Sequence, residues 1–177
     1  MSLTIELPSI EGQAAFNLKR WQEVLADPLL TKLPHRIETD RHGHIVMSPP
    51  PAFSHSQRQG KIVGLMVKLL SEGQALPECP LSTSDGVKAI DVAWLSATRE
   101  EHLERPVALE RAPEICVEIM SPSNKMSEIQ EKRALYFEAG AQEVWICGLE
   151  GKLTFYVAPG SEVGASRLCP TFPQEVE

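Results

Sequence analysis

Apolar positions recur along this chain with two different periods, and the switches between them mark its elements. Residues 11–26 carry Phe16, Trp21, Val24 and Leu25 on a loose helical stripe, which predicts a first helix. Arg36-Ile37-Glu38-Thr39 and His44-Ile45-Val46-Met47 flank the polar stretch Asp40-Arg41-His42-Gly43. That pattern predicts a β-hairpin, ended by Pro49-Pro50-Pro51. Residues 54–72 predict a second helix, with Ser54 as N-cap, Gly73 as stop, and Ile62, Leu65, Met66, Leu69 and Leu70 on its buried stripe. Strands follow at 79–84, 87–95 and 114–120, with a short helix at 97–103. The strand 114–120 is apolar at successive positions, as a strand covered on both faces is. Residues 124–139 predict another helix, with Ser127 and Gln130 in capping-box spacing and Gly140 as stop. Strands 143–149 and 152–158 flank Glu150-Gly151 as a final hairpin. The order αββαββαβαββ predicts an α/β fold with a central mixed sheet flanked by helices. The last residues, Cys169 to Glu177, are short and polar and add little to this reading.

Composition narrows the class. A length of 177 residues fits a single domain, 1–177, with the helix at 11–26 packed onto it. Hydrophobic residues at 42% and charged residues at 23% exclude a disordered tail, a collagen-like repeat and a coiled coil. The longest mainly apolar stretch, Ile62 to Leu70, is broken by Lys68 and falls far short of the ~20 residues of a membrane span. Met1 to Glu6 lacks a basic region followed by an apolar core, so a cytoplasmic protein is expected. The four cysteines form no CxxC pair, which argues against a zinc knuckle. Net charge is −7, against bulk electrostatic capture of nucleic acid. Residues 1–70 carry 8 Lys/Arg and 6 Asp/Glu, however, while residues 71–177 carry 9 and 18. A polyanion would meet the first part. The acidic part either holds a cation or is simply solvated.

Two carboxylates interrupt apolar strands. Asp91 lies within Val87 to Leu95 and shares a face with Ala89 and Ala93. Glu118 lies within Ile115 to Met120, the most hydrophobic strand, and shares a face with Cys116. A charged carboxylate there costs several kcal/mol unless a cation or donors compensate it. Either each acid has its own buried arginine or backbone donor, or the two share a divalent metal. Lys132, on the following helix, lies between Ile129 and Tyr136 on the near-buried side. It either pairs with Glu128 one turn back or reaches the two acids. Two acids and a lysine around one cation form a hydrolytic arrangement. His42 and His44 form an HxH pair in a turn, where exposure is the simpler reading. Arg58 and Lys61 either contact phosphate or form a solvated helix face. No GxxxxGK[ST] or GxGxxG motif and no serine nucleophile elbow is present.

A longer ordered pattern runs through these residues. It comprises Arg36-Ile37-Glu38, Met47-Ser48-Pro49-Pro50, His55, Ile90-Asp91-Val92, Ala112 to Ser123, Glu131-Lys132 with Leu135-Tyr136, Ala139-Gly140 and Glu143-Val144-Trp145. The pattern resembles the bacterial restriction endonuclease-like family within the PD-(D/E)XK nuclease superfamily, over about residues 36–158. The resemblance implies a restriction-endonuclease-like core and Mg2+- or Mn2+-dependent hydrolysis of nucleic-acid phosphodiesters. DNA is the expected substrate and a homodimer the expected assembly. It makes Asp91 and Glu118 the metal-binding acids and Lys132 the catalytic lysine, because Met120 stands where the usual lysine would be. Glu38 is implied as a supporting acid, and His55 and Tyr136 as recurrent positions. Two departures are Ile90 in place of a proline before the first acid, and Gly148 in place of an acid after Trp145. The alternative is a nuclease-fold DNA-binding or protein-interaction module without useful turnover.

Overall fold

The structure is a computed structural model that describes residues 11–177. The stretch Met1 to Glu6, read above for a leader, lies outside the described residues. Among the described residues, eight strands and four α-helices run in the order α1 (Gln13–Ala26), β1 (Arg36–Thr39), β2 (Ile45–Ser48), α2 (Phe53–Leu69), β3 (Gly73–Thr83), β4 (Gly86–Ser96), α3 (Ala97–Glu100), β5 (Ile115–Ile119), α4 (Met126–Glu138), β6 (Glu143–Cys147), β7 (Leu153–Ala158) and β8 (Ser161–Val163). β1 and β2 form a separate hairpin. The other six strands form one sheet in the order β3-β4-β5-β6-β7-β8. Only β5 and β6 are parallel, and α4 is the crossover that a parallel pair needs. The sheet is therefore mixed.

Alternation along β5 splits the core between the two faces. Ile115, Val117 and Ile119 point to one side and join Trp145, Phe155 and the α2 residues Ile62 and Met66. Cys116 points to the other side and joins Ile129 and Tyr136 of α4. A strand covered twice has no solvent-facing side, which explains an apolar run that Glu118 alone interrupts.

Several boundaries differ from expectation. α2 starts at Phe53 on the N-cap Ala52, so Ser54 lies inside the helix. The capping box of α4 uses Glu128, whose carboxylate accepts the Lys125 N–H at 3.2 Å, and not Ser127 with Gln130. The helix foreseen at 97–103 shrinks to the four residues of α3. β3 begins at Gly73, six residues before the expected strand, because its first half pairs with Val92 to Ser96 despite Pro77. On α1, Phe16 and Leu25 are exposed. The buried stripe is Asn17, Trp21 and Val24, and Asn17 is satisfied by donating to Ser82 Oγ and the Thr83 carbonyl. Trp21 and Val24 pack with Val87 and Ala108. Gly140 does end α4. Its φ is +101°, and the Ala141 N–H reaches the Tyr136 carbonyl in a Schellman closure. Among the described residues no helix is long and apolar enough to cross a membrane.

Candidate active site

The site forms where two neighbouring strands part. β4 and β5 pair only over Val92 to Trp94 and Ile115 to Val117. One further step in that register would set Asp91 against Glu118, and there the ladder stops. Instead the Asp91 side chain takes over, its Oδ2 accepting the Ile119 N–H at 2.6 Å. The free edge of β4 is covered by side chains of β1. Thr39 Oγ1 accepts the Val87 N–H at 2.9 Å, Glu38 Oε1 accepts the Ala89 N–H at 2.9 Å, and the Arg36 Nη2 group donates to the Ala89 carbonyl. Arg36 and Glu38 are two residues apart, so strand alternation sends both to this edge.

α4 completes the cluster from above β5. Tyr136 and Lys132 lie one turn apart and both reach Glu118. The Tyr136 hydroxyl donates to Oε1 at 2.6 Å, and Lys132 Nζ lies 3.3 Å from Oε2. The same ammonium donates to Glu38 Oε1 at 2.7 Å. Its partners are thus the two acids and not Glu128. Met120, two residues after Glu118, packs with the α4 side of the core and offers no charge.

Asp91 has a cation of its own. Arg36 Nη1 donates to Oδ1 at 2.6 Å, and His55 Nε2 lies 3.4 Å from the same oxygen. His55 Nδ1 is buried with no hydrogen-bond partner among the described residues. Gln59, one turn further along α2, donates to the Asp91 carbonyl and to Glu78 Oε1, both at 2.8 Å. Arg36, Gln59 and Glu78 were given no role by sequence. For Arg36 the available signals were its place in the family-like pattern and its spacing from Glu38.

The electrostatics follow from burial. Asp91 and Glu118 are 1% and 2% exposed. Burial pushes Glu118 up to about 7, against the pull of Lys132 and with the Asp91 charge adding to the rise. Burial also opposes the charge on Asp91, but the His55 hydrogen bond and the Arg36 guanidinium hold it below the usual carboxylate range. Burial opposes the charge on Glu38 as well, but Lys132, Arg36 and the Ala89 N–H together hold it below its usual range. Burial works against the Lys132 ammonium, yet Glu118 and Glu38 raise it, so the lysine stays charged.

Other predicted positions lie apart from this cluster. Lys61 lines an open groove of about 660 Å³ with Lys68 and the C-terminal Glu175 and Val176. Arg58 lies near Gly151, on the β6–β7 turn. His42 and His44 are exposed, and the His44 ring pairs with Asp40 at 2.8 Å.

Comparison with known proteins now decides the family. Residues 21–175 match the Uma2 family, described as "Putative restriction endonuclease". The chain belongs to the Uma2 family. Among solved structures, it resembles a "putative nuclease belonging to DUF820" from Anabaena variabilis ATCC 29413. The two share 19% identity with a TM-score of 0.66, over 81% of this chain and 82% of that one. At that identity the likeness establishes the fold, a restriction-endonuclease-like α/β sheet. Comparison with curated proteins gives no match.

Asp91 and Glu118 are the carboxylates of this Uma2 chain that could hold a divalent cation. Mg2+ commonly takes one or two carboxylates and fills its remaining positions with water and substrate phosphate. Among the described residues no group of three or more His, Cys, Asp or Glu side chains stands together as a metal site. Asp91, Glu118, Glu38 and Glu78 face only Arg36 and Lys132 as permanent cations.

Proposed function

We propose that this chain is a metal-dependent nuclease that hydrolyses phosphodiester bonds of DNA, with its active site at the parting of β4 and β5. The observation that carries the reading is the shared cluster of Asp91, Glu118, Glu38 and Lys132, drawn from four separate elements. Burying such a cluster is costly, and a hydrophobic replacement would serve stability as well or better. Asp91 and Glu118 would hold Mg2+ or Mn2+. When bound, such an ion supplies Lewis acidity to a phosphoryl oxygen.

The protein's own groups then divide the remaining work. Lys132 stays protonated, so it acts as a donor that orients water and meets charge developing on phosphate, and not as the base. Glu38 fixes the ammonium while itself being held by the Ala89 N–H. Tyr136 fixes the Glu118 carboxylate. The reading also takes the chain as a cytoplasmic homodimer. Four unpaired, buried thiols suit a reducing compartment, and light scattering on the purified protein tests the assembly.

The test is cleavage of plasmid and single-stranded DNA, with RNA alongside, in Mg2+ and in Mn2+. Asp91→Asn, Glu118→Gln and Lys132→Met are purified in parallel and checked for folding by circular dichroism. Cleavage by the parent that falls at least ~100-fold in each variant is expected. Cleavage that survives in all three would overturn the assignment. A second reading has its own support: Arg36 occupies Asp91, and Met120 stands at the motif lysine. If the parent binds DNA without cutting it in either metal, the chain is a nuclease-fold binding module.

A further inference from the structure

Arg36 sits where the proposed metal would need room. Of the two Asp91 oxygens, Oδ2 is committed to the Ile119 N–H. Oδ1 is the oxygen left for a ligand, and the Arg36 Nη1 group holds it at 2.6 Å. A guanidinium and a divalent cation cannot both occupy that oxygen at bonding distance without severe like-charge repulsion. A second carboxylate waits beside the same guanidinium. Glu78 Oε2 lies 3.2 Å from Arg36 Nε, but that nitrogen has no hydrogen-bond partner among the described residues. The ion pair is made and the hydrogen bond is not.

The placement of Glu78 is itself unusual. The residue has φ +51°, a left-handed conformation uncommon for a residue other than glycine. It also interrupts the β3–β4 ladder between the Pro77–Val92 and Cys79–Ile90 pairs. Such strain persists only where surrounding contacts impose it, and it concentrates at functional positions. Here the contact is Gln59, which ties Glu78 Oε1 to the Asp91 backbone carbonyl and leaves Oε2 turned to Arg36. Arg36 is one-fifth exposed and Glu78 about half, so the path between the two acids runs at the surface.

We propose that Arg36 is the resident cation of the metal-free site, holding the Asp91 oxygen that a metal would require, and that Glu78 receives its guanidinium when the site is loaded. The inference rests on the metal-dependent reading given above. It makes Arg36 a positioning residue whose first effect is on metal affinity.

Metal affinity is therefore the readout, independent of cleavage. Mn2+ is titrated into the metal-free full chain, and the free ion is followed by its electron paramagnetic resonance signal. Arg36→Gln is expected to bind Mn2+ at least ~10-fold more tightly than the parent, since its competitor is gone. Should that variant fail to fold, Arg36→Lys serves in its place, because a lysine keeps the charge but loses the forked grip and should bind severalfold more tightly. Glu78→Gln is expected to bind severalfold more weakly. A crystal structure of the parent with Mn2+ reads the transfer directly: the guanidinium on Glu78 supports it, and the guanidinium still on Asp91 Oδ1 overturns it. Unchanged or weakened Mn2+ binding in the Arg36 variants, with binding intact in the parent, sinks this inference alone. No Mn2+ binding by the parent or any Arg36 variant sinks the metal reading with it.

Discussion

Tyr136 is fully buried, and its hydroxyl spends its one proton on Glu118 at 2.6 Å. Burial and the neighbouring Glu118 charge push that phenol well above its ordinary range, so it acts as a donor at any working pH. Tyr136→Phe keeps the ring in the core but removes one of two donors from a buried carboxylate. The expected loss is about 1–3 kcal/mol of stability, read from urea unfolding of the metal-free chain. No change in the midpoint would mean that water takes the place of the hydroxyl. At this scale the sequence was informative wherever a charge broke an apolar pattern. Asp91 and Glu118 interrupt strands, and Lys132 lies between two buried helix positions, so each invited a question. Arg36, Gln59 and Glu78 broke no pattern. Their meaning arises only when β1, α2 and β3 converge around Asp91, and that convergence is tertiary.

The β1–β2 hairpin supplies Glu38 and Arg36 but belongs to no larger sheet, so its docking onto β4 decides where both side chains sit. Gly86, at the β3–β4 turn, lets it approach. Its φ is +85°, and a Cβ there would lie 2.4 Å from the carbonyl oxygens of Thr39 and Asp40. Gly86→Ala therefore meets both backbone strain and a backbone clash. It should cost about 2 kcal/mol or more and displace Glu38 from the Ala89 N–H. Gly60, inside α2, is the control, because a Cβ there meets nothing within 4 Å. Gly60→Ala should stabilise by about 0.5–1 kcal/mol. Equal melting temperatures for the two variants would show that the hairpin is free to shift. Both hairpin strands were legible from alternation and from the Gly-containing turn. The first half of β3 was not, since Pro77 and the polar residues around it imitate a loop, and only the ladder with β4 makes them a strand. β8 is three residues long and leaves no periodicity to detect.

Across the whole molecule, the segment after β8 matters more than its composition suggests. Cys169, Phe172 and Val176 are buried against Trp145 and Phe155, on the sheet face opposite α4. Three positions among nine were enough, because the intervening polar residues point outward. Glu143 holds the segment in place. Its Oε1 accepts the Arg167 and Leu168 N–H groups at 2.6 and 2.9 Å, and its Oε2 accepts Trp145 Nε1 and Ser166 Oγ, both at 2.7 Å. One buried carboxylate thus satisfies four donors. The segment also closes the β6–β7 turn, where the Val176 N–H reaches the Gly151 carbonyl at 2.9 Å. A chain ending at Gly164 would expose the Trp145 and Phe155 rings and leave Glu143 with Trp145 Nε1 as the one donor remaining of the four. Burial of Phe172 and Val176 alone contributes roughly 3–6 kcal/mol, a large share of the roughly 5–15 kcal/mol that holds a domain together. Such a truncation should show no cooperative thermal transition. Glu143→Gln, which keeps one acceptor, should melt early but still cooperatively. None of its partners is shared with Asp91 or Glu118, so at low temperature it should bind Mn2+ as the parent does. A Gly164-terminated chain that melts like the parent would show that the segment is an appendage and not a wall of the core.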